Sequence, residues 1–220
     1  MKKFVLTVLA ALLITGTAFA GSNSGFNVNL ASGNSNTFDI GACYGTISYV
    51  NKNNSGNHTD VSGWGFVVGE YEKFIPFMGV QTSAFFIFPK ELKQYHSSGY
   101  VSNLSDSYNS PVFMSFEAML MLDFPITIFN IKAGAGIAYT LHYESDSYYY
   151  TGSDAINHYF AVPVSISASA TIGGLGIKAG CDFQFVFSNY ITQNNKTEEL
   201  RHLSYDTFIV LPYVCATIRF

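Results

Sequence analysis

The feature that most constrains this chain is an alternation of apolar and small or polar residues that recurs in long segments. The clearest case runs from about Ile128 to Tyr143. Phe129, Ile131, Ala133, Ala135, Ile137, Tyr139, Leu141 and Tyr143 alternate with Asn130, Lys132, Gly134, Gly136, Ala138, Thr140 and His142. Successive side chains of a strand point to opposite faces, so a period of two predicts a strand with one apolar face. Seven further segments carry the same period, at about 37–49, 59–70, 74–88, 111–122, 158–170, 175–188 and 204–220. The third has an open phase, because both of its faces carry Phe and Ile.

The connections between these segments alternate as well. Residues 51–58, 89–110, 144–157 and 189–203 are long and polar, whereas 71–73, 123–127 and 171–174 are short. A parallel crossover needs a dozen or more residues, so the short connections force antiparallel neighbours. Alternating long and short connections define an up-and-down meander with all long connections at one end.

Composition decides what covers the apolar faces. Phe and Tyr number 20 and 15, and charged residues are only 12% of the chain, against about 25% in a typical soluble domain. In water, the faces opposite the apolar stripes would carry charge; here they carry mostly Gly, Ser, Ala and Thr. That pattern predicts lipid outside and a mildly polar interior, since a membrane strand needs only about 9 to 11 residues. Hydrocarbon tolerates no unpaired strand edge, so the strands must close on themselves. The expectation is an all-β, eight-stranded antiparallel up-and-down transmembrane β-barrel over residues 37–220. Aromatic side chains near strand ends, among them Tyr49, Trp64, Tyr71, Tyr159 and Tyr190, are expected to form interfacial girdles.

The N-terminus points the same way. Lys2 and Lys3 precede an apolar run from Phe4 to Ile14, and Thr17-Ala18-Phe19-Ala20 supplies small residues for cleavage after Ala20. This is the order of a secretory signal peptide, residues 1–20. Its removal would take the formal charge from −4 to −6, the wrong sign for a nucleic-acid binder. Residues 21–36 form either a periplasmic arm or an extra strand: Phe26, Val28 and Leu30 alternate with Asn27 and Asn29.

The last segment, FIVLPYVCATIRF, alternates and ends on Phe220. It resembles the C-terminal signature of bacterial outer-membrane proteins. With the leader and eight segments, the chain resembles the small outer-membrane barrel superfamily of OmpA, OmpX and the opacity proteins. The resemblance covers about residues 37–220 and implies localisation in a bacterial outer membrane. It also implies passage with periplasmic chaperones and insertion by a barrel-assembly machinery that reads Phe220. The surroundings would then be outer-membrane lipid and lipopolysaccharide, and the barrel a monomer. Pro212 and Pro163 depart from regular strands and are candidate bulges.

The candidate functional residues fall in three groups. Asp39, Glu117, Lys132, His142, Lys178, Asp182 and Arg219 lie on the faces assigned to the interior, where charges must be paired or hydrated; a lumen network is expected. Tyr95, His96, Tyr100, Tyr108, Tyr148, Tyr149 and Tyr150 lie in long connections, where exposed Tyr suits recognition of a surface ligand. Cys43 and Cys215 lie on the first and last segments. Closure makes these neighbours, so a cross-strand disulfide and a pair of buried thiols are both open readings. No P-loop, nucleotide-binding glycine fingerprint or HExxH occurs, and no catalytic, cofactor or metal site is assigned. The sequence thus predicts a non-enzymatic surface barrel with a structural or adhesin-like role. A narrow channel or carrier for small or apolar solutes and a lipid-modifying enzyme are the alternatives.

Overall fold

The computed structural model describes residues 36–53, 56–105, 112–126, 129–144, 154–193, 196–199 and 205–220. The chain divides into two units, Met1–Ser32 and Gly33–Phe220. The predicted leader, residues 1–20, and the segment 21–35 lie outside the described residues.

The described residues form ten strands: β1 (Thr37–Asn51), β2 (His58–Ile75), β3 (Met78–Tyr95), β4 (Val101–Asn103), β5 (Val112–Ile126), β6 (Phe129–Glu144), β7 (Ala155–Ile172), β8 (Leu175–Gln193), β9 (Lys196–Glu199) and β10 (Tyr205–Arg219). All pair antiparallel in one sheet, in the order β10-β1-β2-β3-β5-β6-β7-β8-β9. β10 pairs with β8 as well as with β1, so the sheet curls into a near-barrel. The short β4 and β9 are additions that pair only with β3 and β8 respectively.

The eight long strands correspond to the eight predicted segments, but most run farther. β2 continues through the predicted turn at Tyr71–Lys73, and the turn falls at Pro76–Phe77. Alternation hides this, because Tyr71 and Lys73 continue the inward phase of Val67 and Gly69. β3 likewise runs past Pro89 to Tyr95, with a register shift between Ser62 and Gly63 on β2 absorbing the proline. The expected bulges at Pro163 and Pro212 are absent. The β1–β10 register keeps one phase from Cys43↔Tyr213 to Thr46↔Val210, so Pro212 interrupts pairing without shifting it. The register shift in β7 falls between Phe160 and Ala161, just ahead of Pro163.

Burial alternates along the strands. Phe38, Ile40, Phe66, Leu120, Leu122, Ile131, Ile137, Val164, Ile166, Ile177, Phe183, Phe185, Val214 and Ile218 are exposed on one face of the sheet. The opposite face is packed. β3, whose phase the sequence left open, turns Phe85 and Ile87 inward and Phe88 outward. Gly45 faces the interior because a Cβ there would strike Phe113 and Ile87. Gly173 and Gly174 take positive φ, 61° and 90°, in the two-residue connection from β7 to β8, a conformation that glycine adopts without Cβ strain.

Candidate functional site

The interior is a stack of side chains drawn from all eight long strands. At the short-turn end, Lys73 on β2 donates to Asp123 Oδ2 on β5 at 2.9 Å, and Tyr71 OH donates to the same oxygen at 3.4 Å. Lys132 on β6 stands over the Tyr71 ring, with Nζ 3.3 Å from the centroid; the ring face attracts the ammonium. Above this, Lys178 on β8 donates to Asp39 Oδ2 on β1 at 2.9 Å and to Gln81 Oε1 on β3 at 2.8 Å. Thr217 on β10 donates to the other oxygen of Asp39 at 2.7 Å. One ammonium thus ties three strands across the interior.

A second polar layer joins β5, β6, β7 and β8. Gln184 Nε2 donates to Ser115 Oγ and to Glu117 Oε1. Thr140 Oγ1 lies 2.8 Å from Ser115 Oγ and 3.0 Å from Gln184 Oε1. Ser165 donates to Asp182 Oδ1. Farther toward the long connections comes an apolar layer that includes Ile47, Val61, Phe85, Ile87, Phe113 and Leu211, all at most 1% exposed. Above it His142 meets Phe113 edge-on, and Tyr49 OH and Tyr159 OH are 2.7 Å apart.

The predicted lumen residues Asp39, Glu117, Lys132, His142, Lys178 and Asp182 are therefore all buried in this stack. Arg219 is not. It is the last residue of β10, opposite Thr37, and it is exposed; a guanidinium at a strand end reaches water at little cost. Sequence reasoning missed Lys73 and Asp123, because both were assigned to turns. It also missed Gln184 and Thr217, whose inward phase was the available signal, and Gln81, whose segment had an open phase. Three expected girdle residues, Tyr49, Tyr71 and Tyr159, instead point inward and fill space.

Cys43 and Cys215 are buried free thiols, one of the two readings the sequence left open. Cys43 lies opposite Tyr213, and Cys215 lies opposite Gly41, so the two are diagonal neighbours. Diagonal Cβ atoms are farther apart than the 3.5 to 4.5 Å or so that a disulfide requires.

The long-connection end carries part of the predicted recognition set. Tyr95 closes β3 and stacks on His58, with centroids 4.2 Å apart and planes at 8°. His96 packs beside Tyr100 at 5.6 Å and lies 3.3 Å from Ser102 Oγ. Tyr100 is 65% exposed. Tyr108, Tyr148, Tyr149 and Tyr150 lie outside the described residues. At the other end, Phe220 is exposed and its N–H donates to the carbonyl of Asn36.

Similar chain paths occur in solved structures. Neisserial surface protein A (NspA) covers 83% of this chain and 97% of its own, with 12% identity and a TM-score of 0.49. OprG of Pseudomonas aeruginosa covers 85% and 97%, with 11% identity and a TM-score of 0.47. Ail of Yersinia pestis covers 84% and 99%, with 12% identity and a TM-score of 0.45. No family model and no curated protein matches the chain. Likenesses of this degree assign neither family nor activity, and the functional reading rests on the chain's own residues.

Proposed function

We propose that this protein is a bacterial outer-membrane barrel whose eight long strands close around a filled, non-conducting interior. It acts without catalysing a reaction, as a structural element of the envelope and a scaffold for ligand recognition by its long connections. The filled interior is the observation that carries the reading.

Closure is supported by the ladders themselves. Following partners from Thr46 through Val210, Phe183, Val164, Ala135, Leu120 and Val80 reaches Glu72. Glu72 is one residue beyond Tyr71, the partner of Thr37. The circuit thus returns to β1 ten residues from where it began. Such a stagger in eight strands goes with a tilt of about 40° and an interior that side chains can fill. Membrane insertion is supported by the outward face, where apolar side chains stand exposed around the sheet. Strands of 15 to 19 residues exceed the roughly 9 to 11 that cross a bilayer. The surplus and the adjoining turn carry polar pairs such as Lys93–Glu91 and Lys52–Asp206, so these strands project into water on the outer side.

The interior layers weigh against a channel or carrier, because ions or solutes would have to displace paired charges and a packed aromatic layer. They weigh against catalysis because their polar groups are largely consumed in bonds to one another. Recognition is supported by the exposed Tyr100 and the aromatic pairs beside it. The expected surroundings are outer-membrane lipid and lipopolysaccharide, with assembly through periplasmic chaperones and the barrel-assembly machinery.

The test is conductance of the refolded chain (residues 21–220) in planar bilayers. Inserted protein should give no unitary steps, while trimming residues 96–110 should abolish saturable binding to target surfaces without unfolding the barrel. Regular conductance steps would replace this reading with transport.

A further inference from the structure

One feature of the interior is left unbalanced by the bonds described above. Among the described residues, four carboxyl groups are buried in the short-turn half of the stack, those of Asp39, Glu117, Asp123 and Asp182. Three ammonium groups face them. Lys178 pairs with Asp39 and Lys73 with Asp123, while Lys132 sits on Tyr71. One negative charge remains over, and it falls on Glu117 and Asp182.

The local geometry says how it is held. Glu117 on β5 and Asp182 on β8 lie within hydrogen-bonding reach of each other. Each has one oxygen occupied by a protein donor, Gln184 Nε2 on Glu117 Oε1 and Ser165 Oγ on Asp182 Oδ1. Each has its other oxygen, Glu117 Oε2 and Asp182 Oδ2, buried without a donor. Tyr213 OH and Ser167 Oγ belong to the same layer, within hydrogen-bonding reach of one another, and both side chains pack against Gly180 beside Asp182. Two ionised carboxylates facing one another in a packed interior repel, and each forfeits its hydration. A single proton shared between the two carboxyls removes the repulsion and balances the interior charge.

We propose that Glu117 and Asp182 form a proton-binding site that holds one proton between them in the folded barrel, as an O–H···O⁻ bond bridging β5 and β8. The titratable groups that act on this site are Lys178 and Cys181 on β8 and Tyr213 and Cys215 on β10; its other polar neighbours, Gln184 on β8, Ser115 on β5 and Ser165 on β7, are uncharged. The proton is taken up on folding, because the unfolded chain leaves both carboxyls ionised in neutral water. A state that binds more protons when folded loses stability as pH rises. Alkaline pH should therefore loosen the interior by returning two facing charges to it.

The test uses infrared spectra of the refolded protein at pH 7.5, where ordinary carboxyls are ionised. The wild type should show the C=O stretch of one protonated carboxyl group, and Glu117→Gln and Asp182→Asn should each abolish it. Urea unfolding from pH 7 to pH 10 should show a midpoint that falls in the wild type and falls less in Glu117→Gln. Absence of the protonated-carboxyl band in the wild type would overturn the proposal, as would its persistence in both variants. If neither variant folds, the wild-type band alone decides. A wild-type midpoint that rises with sodium concentration at fixed pH and ionic strength, with no band, would show a cation in place of the proton and also overturn it.

Discussion

Replacing Lys178 by Met removes the ammonium that ties Asp39, Gln81 and β8 together, and the consequence depends on whether the interior is dry. Lys178 and Asp39 have side chains only 3% and 4% exposed. Without the ammonium, Asp39 keeps the Thr217 hydroxyl as its remaining donor. Breaking a buried pair on one side costs about 3 to 5 kcal/mol, because a charge is left uncompensated. The double variant Lys178→Met/Asp39→Leu removes both charges and should recover most of that loss, about 2 to 3 kcal/mol relative to the single variant. The assay is urea unfolding in lipid vesicles, followed by the emission of Trp64. It is the chain's one tryptophan and is 71% exposed on the outward face, so its emission reports lipid contact. A water-filled lumen would solvate Asp39, and the pair would then behave as a surface ion pair worth at most about 1 kcal/mol. A loss that small in the single variant, with no recovery in the double, would refute the filled interior.

Further predictions test other surfaces. Ile166→Arg places a charge on the outward face of β7 and should cost about 2 to 4 kcal/mol in vesicles, since a lipid-facing Arg near mid-membrane is expensive; a neutral effect would argue for water outside. Phe113→Ala should cost about 3 to 5 kcal/mol by opening a cavity beside Gly45 and His142, measured by the same unfolding assay. Gly45→Ala should cost about 1 to 3 kcal/mol by overpacking against Phe113 and Ile87, and Phe113→Leu should recover part of it. Phe220→Ala should leave the unfolding midpoint in vesicles within about 0.5 kcal/mol, as expected for an exposed side chain, yet reduce the amount of barrel inserted in cells.

Much of this fold was legible because a strand's faces repeat at a period of two. That signal assigned the outward-facing and interior sides correctly on β6, β7, β8 and β10. It failed to locate strand ends, because alternation gives no stop signal where β2, β3, β7 and β8 run past the predicted bounds. The misplaced turn at Tyr71–Lys73 had a chemical cost, since it hid the Lys73–Asp123 pair and the Tyr71 platform for Lys132. Inward phase alone named Asp39, Lys178, Glu117 and Asp182 but not their partners. Which groups meet across the interior depends on strand stagger, and stagger is set by ladder register rather than by pattern. The choice between a Cys43–Cys215 bridge and two buried thiols stayed open in the sequence for the same reason: two residues of register separate facing from diagonal positions.

The most direct test of the account is whether β1 and β10 are joined edge to edge. Asn51 and Tyr205 are opposite one another at the long-connection end of that seam. A protein carrying Asn51→Cys and Tyr205→Cys, with Cys43, Cys181 and Cys215 replaced by Ala, would be refolded in vesicles and oxidised. Closure predicts rapid, near-complete intramolecular crosslinking that leaves the barrel folded and, under non-reducing conditions, shifts the migration of the heat-denatured chain. Failure of these two residues to crosslink in protein shown to be folded would mean that the sheet is open, and the sealed-barrel account would fall with it.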